Sequence, residues 1–81
     1  MNLCFLIGKV KRDVTFQFFY KSKKISIAKT EIIVKNDVDI TIIGYDEMAD
    51  WMYQYLGKNE DVFVKGKLNS KMEVEVEWIK I

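Results

Sequence analysis

The sequence predicts a small all-β barrel carrying one helix. Three observations predict it: apolar and polar residues alternate at period two along most of the chain, one stretch from Asp46 to Leu56 switches to helical spacing, and 81 residues with 49% hydrophobic content hold material for a single core. The expected domain is therefore the whole of residues 1–81.

Leu3, Phe5 and Ile7 alternate with Cys4, Leu6 and Gly8 ahead of Lys9, Val10 and Lys11, an apolar run of strand length. Gly8 inside it permits the bulge or sharp coil by which a small barrel bends one strand across two sheets. From Val14 to Tyr20, Val14, Phe16, Phe18 and Tyr20 share one face and Thr15, Gln17 and Phe19 the other; Lys21, Ser22, Lys23 and Lys24 follow, so the segment reads as a hairpin arm with a basic tip.

Ile25 to Lys35 is a longer strand with Thr30, Ile32 and Val34 on one face and Lys29, Glu31, Ile33 and Lys35 on the other. Val38 to Tyr45 answers it, with Ile40 and Ile42 inward and Asp39, Thr41, Ile43 and Tyr45 outward. Facing residues must share a side of the sheet, so the turn is expected to hold three residues, Asn36, Asp37 and Val38, pairing Val34 with Ile40 and Lys35 with Asp39.

Met48, Ala49, Met52, Tyr55 and Leu56 then recur at helical spacing, with Asp46 as the expected N-cap and Gly57 as the expected stop. Asp61 to Leu68 and Met72 to Ile81 return to β alternation around an Asn69, Ser70, Lys71 turn; Met72, Val74, Val76 and Trp78 are read as inward and Glu73, Glu75 and Glu77 as an acidic outer face that phosphates avoid. The order β-β-β-α-β-β is that of the five-stranded Greek-key barrel, the OB fold, whose second and third strands commonly bind oligonucleotides.

Composition narrows function by exclusion. There is no histidine, and the one cysteine, Cys4, is read as a buried, inert thiol. The usual proton shuttle, a metal-ligand set and an internal disulfide are thus all missing, and neither catalysis nor a cofactor is expected. Asp46 with Glu47 and Asp37 with Asp39 stand where a helix start and a turn want acids. Met1 to Gly8 lacks the basic start and long apolar run of a secretory signal, and no stretch is apolar enough for a membrane span, so a cytoplasmic protein is expected. Residues 1–36 hold eight basic side chains against two acidic ones, and residues 37–81 hold five against ten. Unless the fold interleaves them, the first strands present a positive surface suited to a polyanion.

The opening Met1 and Asn2 with Leu6, Ile7, Gly8, Lys9 and Val10 resembles the start of bacterial single-stranded DNA-binding proteins. Tyr45 through Leu68, with Met48, Ala49, Asp50, Tyr55, Leu56, Val62, Val64, Gly66 and Leu68, resembles that family's helix and fourth strand. The likeness implies an OB fold, single-stranded DNA as ligand with RNA as the other polymer it could take, assembly into a homodimer or homotetramer by pairing first strands, and replication proteins as partners. It puts Tyr45 at the position of a base-stacking aromatic. Asp39 stands where the family often has tryptophan, Met72 and Glu73 stand near another of its rings, and the loop joining strands two and three is short. The family's acidic tail has no counterpart before Ile81, which makes the tail-less primosomal replication protein N an equally close comparison.

On this reading a single strand lies over Lys29, Ile33, Lys35, Thr41, Ile43 and Tyr45, and Lys21, Lys23 and Lys24 close on it from the arm tip; lysines release counterions and Tyr45 stacks. Phe18 and Tyr20 are the best additional rings, although Phe16 and Phe18 read first as core. The alternative is a protein-interaction module of a replication or primosome complex, docking a partner on Ile33 and Ile43 if these are exposed together.

Overall fold

The computed structural model describes residues 3–20 and 24–81, less the side chains of Phe19 and Tyr20, so Lys21 to Lys23 of the arm tip lie outside it. Its elements are β1 (Leu3–Val10), β2 (Thr15–Tyr20), β3 (Lys24–Val34), β4 (Val38–Tyr45), α1 (Glu47–Tyr55), β5 (Asp61–Leu68) and β6 (Val74–Lys80). The strands follow the order β1-β5-β6-β4-β3-β2, and a further pairing of β1 with β3 closes five of them into a barrel. The arm, β2, adds to β3 from outside that ring. Barrel strands and helix thus run β1, β3, β4, α1, β5, β6, the OB order expected, with the arm inserted after the first.

Closure depends on β1 changing partners. Leu3 to Lys9 pair with β5, and Lys9 and Val10 then pair with Ile33 and Ile32 of β3. Gly8 sits at the crossing, where a Cβ would come within 2.6 Å of the Ile33 carbonyl oxygen, so a side chain there would force two backbones apart. Val10, Ala28, Ile32, Ile42, Val62 and Val64 fill the interior without solvent exposure. The helix packs on β2, β3 and β4 and adds Ala49, Met52 and Leu56 to the same core. Each large side chain so enclosed contributes on the order of 1.5–3 kcal/mol relative to leaving it in water. Among the described residues no helix is long and apolar enough to cross a membrane.

Four local expectations are corrected. The three-residue turn is Lys35, Asn36 and Asp37, pairing Val34 with Val38 and Ile32 with Ile40. Asn36 and Asp37 take φ of 69° and 58°, a region that short polar side chains tolerate and β-branched Val38 resists, so the turn settles one residue earlier while the same faces stay inward. Lys35 therefore does not face Asp39, whose carboxylate bonds the Lys11 ammonium instead. Asp46 makes no side-chain capping bond; its N–H still serves the β-ladder, donating to the Ser26 carbonyl at 2.9 Å, and φ is 53°. Gly57 is not a left-handed helix stop, because the chain leaves α1 through extended Leu56 and the Gly57 N–H donates to Glu60 Oε1 at 2.6 Å.

The fourth correction bears on the surface. β6 is out of register by one residue opposite Lys65 and Gly66, so that Gly66 faces Val76 and Lys65 faces Trp78. The extra residue, Glu77, reverses the phase of the strand. Val74 and Val76 point inward as expected, but Ile79 replaces Trp78 against the core, and Trp78 turns outward to lie 6.4 Å from the Phe5 ring at an interplanar angle of 27°. Met72, expected inward, belongs to the preceding turn with φ of 62° and is exposed. Gly66 makes the irregularity possible, since a Cβ there would meet the Glu75 carbonyl oxygen at 2.1 Å. Gly66→Ala should lower stability by about 1–3 kcal/mol in urea denaturation, while Lys67→Ala beside it should leave the midpoint nearly unchanged.

Candidate nucleic-acid interface

The outer face of β3 and β4 is assembled by their register. Ile27 faces Tyr45, Lys29 faces Ile43, and Glu31 faces Thr41. On the arm, Gln17 pairs with Ile27 and Thr15 with Lys29, which extends the face by one strand. On the other side β6 runs parallel to β4, Ile43 lying beside Glu75 and Ile42 beside Val74. That seam brings the turn between β5 and β6 over the sheet. Asn69 organises the turn: its Oδ1 accepts from the N–H groups of Lys71 and Glu73, each at 2.9 Å, and its Nδ2 donates to Glu73 Oε1 at 3.0 Å.

Glu73 pins the turn to the sheet, because Lys29 Nζ donates to Glu73 Oε2 at 2.9 Å. The result is a cleft of 380 Å³ with Ile27, Ile43 and the Tyr45 ring as its apolar surfaces and Gln17, Lys29, Asn69, Lys71, Glu73 and Glu75 as its polar ones. This is within the size range of small-ligand pockets and admits a planar ring. A shallower hollow adjoins it, shared by Arg12, Thr15, Thr41, Glu31 and the Lys29–Glu73 pair. Tyr45 is 40% exposed at the cleft. Its phenol ionises above the ordinary value of 10.0, first through burial and then through the negative charge of Glu75 and Glu73, with Lys29 pulling the other way. Glu73 is held below the ordinary 4.5 by its hydrogen bonds from Lys29 and Asn69.

The expected site is therefore only partly gathered. Tyr45, Lys29 and Thr41 share the outer face. Lys29, expected to be open to phosphate, is taken by Glu73. Lys35 lies in the β3–β4 turn beside Ile7, Asp37 and Phe63, on the order of 20 Å of strand from Tyr45. Phe18 pairs with Ser26 and so follows the side of β2 and β3 that carries Ser26 and Ala28, opposite to Tyr45; it is nonetheless 51% exposed, so of the two rings read first as core only Phe16 packs there. Exposed Lys24 alternates onto that same side. Lys21, Lys23 and the Tyr20 side chain lie outside the described residues. The apolar pair of the alternative reading is not open either: Ile43 is 3% exposed, and Ile33 lines a separate hollow near Gly8 and Val34.

The charge asymmetry of the sequence is also reduced among the described residues. Lys9 pairs with Asp61 at 3.0 Å, Arg12 with Glu31 at 3.0 Å, Lys11 with Asp39 and Lys29 with Glu73, so first-half cations meet acids drawn largely from the second half. The acidic strand face expected to stand apart from the ligand instead forms a wall of the tyrosine cleft. Alternation alone indicated that Glu73 and Glu75 point outward. It carried no signal that β6 lies against β4.

A five-stranded OB barrel with a tyrosine cleft on the outer face of β3 and β4 defines the class of domain. Solved structures share this fold. The SSB domain of a Synechococcus protein superposes with a TM-score of 0.88 at 19% identity, covering 100% of this chain and 96% of that one. The PriB protein of Ralstonia solanacearum gives 0.83 at 12% identity over 99% and 96% of the two chains. The single-stranded DNA binding protein of Thermus aquaticus gives 0.83 at 21% identity, with 99% of this chain matching 39% of that longer one. No protein-family model and no curated protein matches the sequence.

The Glu73 latch carries a pH dependence of definite sign. A carboxyl whose folded value lies below 4.5 adds stability that is present above the unfolded value and is lost as pH falls through the folded one. Glu73→Gln should remove that contribution. The difference in urea midpoint between wild type and Glu73→Gln, present at neutral pH, should shrink as the pH is lowered below 4.5.

Proposed function

We propose that this chain is a non-catalytic, cytoplasmic binder of single-stranded DNA serving replication, repair or recombination. The observation that carries the proposal is the Tyr45 ring, partly exposed in a cleft on the outer face of β3 and β4, in a fold shared with an SSB domain and with PriB. A base stacks on Tyr45, with Thr41 and the ladder of β3 and β4 beneath the backbone. Because Lys9, Lys11, Arg12 and Lys29 are engaged by acids, the phosphate contacts fall to exposed Lys71 at the cleft and to Lys21 and Lys23 of the arm tip. Each phosphate neutralised on a single strand adds about 0.7 to the slope of log affinity against log salt.

Fluorescence anisotropy of a labelled mixed-sequence strand across a salt series, with its duplex as control, tests this. Preference for the single strand, affinity that falls as salt rises, and a loss of about 1–3 kcal/mol in Tyr45→Ala are expected. Equal binding of the duplex, or an unaffected Tyr45→Ala, would refute it.

Self-association belongs to the same reading. From Leu3 to Gly8, β1 pairs only with β5 among the described residues, leaving its other edge open, and Leu3, Phe5 and Ile7 beside it are 52%, 62% and 61% exposed. An unblunted edge carrying an apolar strip is a pairing surface, here for a second copy. Sedimentation should show a dimer or tetramer that Phe5→Glu dissociates, with the barrel's circular dichroism retained.

A further inference from the structure

We propose that the Tyr45 cleft discriminates among bases, favouring those with an amino donor on their pairing edge, cytosine and guanine among them, over thymine, which has none, and that Glu75 is the residue that decides. This rests on the single-strand reading above.

The cleft is poorly suited to phosphate. Its one sheet-borne cation, Lys29, is bonded to Glu73, and Glu75 adds a second carboxylate beside the ring. The strand must then enter base first, with its phosphates held outside toward Lys71. A base stacked on an aromatic ring turns its pairing edge toward the wall of the pocket, where hydrogen bonding reads it. That wall carries the Glu73 and Glu75 carboxylates.

The two glutamates differ in what they have left to offer. Both oxygens of Glu73 are engaged, one by Lys29 and the other by the Asn69 amide. Glu75 pairs in the backbone with Ile43 and Lys67 and is half-buried. Among the described residues no cation pairs with its carboxylate, since Lys67 reaches Glu77 at 3.5 Å instead. Its two oxygens accept and cannot donate. Cytosine presents the N4 amino donor and guanine an imino and an amino donor side by side, whereas thymine flanks its single imino donor with two carbonyl oxygens. A carboxylate therefore attracts the first two and meets lone pairs on the third, which is selection by repulsion as well as by attraction.

Anisotropy with oligo-dC and oligo-dT of equal length, at one salt concentration and mildly alkaline pH so that cytosine stays unprotonated, reads the preference directly. Wild type should bind oligo-dC about tenfold more tightly than oligo-dT, the scale of one good base contact. An alternating thymine–guanine strand should fall on the tight side. Glu75→Gln keeps the shape of the side chain but supplies an amide that both donates and accepts, so it should bring oligo-dC and oligo-dT close to parity, chiefly by improving oligo-dT. Equal or tighter binding of oligo-dT by wild type would overturn the inference while leaving the single-strand reading intact. So would a preference for oligo-dC that survives unchanged in Glu75→Gln. Failure of every strand to bind would overturn the single-strand reading itself, and this inference with it.

Discussion

Two parallel residue pairs, Ile42 with Val74 and Ile43 with Glu75, are the seam on which this molecule depends. They join β4, the strand that carries Tyr45, to β6, the strand that ends the fold, and without them the sheet would stay open on one side. Closure at the opposite seam, where Lys9 and Val10 reach Ile33 and Ile32, needs Gly8 so that two backbones can approach. A ring of strands tied at both places encloses Ile32, Ile42, Val62 and Val64, and among the described residues β1 keeps one side unpaired from Leu3 to Gly8.

The same seam determines the chemistry of the outer face. Setting β6 beside β4 carries the β5–β6 turn across the sheet, where Asn69 shapes it and Glu73 fastens it to Lys29. A surface that would otherwise be a flat strip of threonine, lysine and isoleucine becomes a walled cleft with Ile43 buried at its base. Positive charge is withdrawn from the sheet and carboxylates are brought to the tyrosine.

The bulge in β6 is a second instance of a local irregularity with consequences at the surface. One additional residue opposite Lys65 and Gly66 moves Trp78 from the interior to the exterior, beside Phe5. The outward strip of β1 thereby gains an aromatic neighbour. The tyrosine cleft and the apolar β1 strip lie on different strands.

Period-two alternation was enough to read which residues of β3 and β4 share the inward face, and the shift to helical spacing located α1, because these patterns record contact with one common core. The OB order followed from them. The three-residue length of the β3–β4 turn was also legible, since parity constrains it, but its placement turned on the backbone preferences of Asn36, Asp37 and Val38. What the linear pattern does not contain is which distant strands become neighbours. Lys29 and Glu73 are far apart along the chain and 2.9 Å apart in space, and alternation says of each only that it points outward. Outward is a local property, set by the pleat; the partner found there is set by barrel closure. For that reason the fold and the tyrosine's side of the sheet were legible in the pattern of the chain, whereas the pairing of Lys29 with Glu73 and the placing of two carboxylates beside Tyr45 came only with barrel closure.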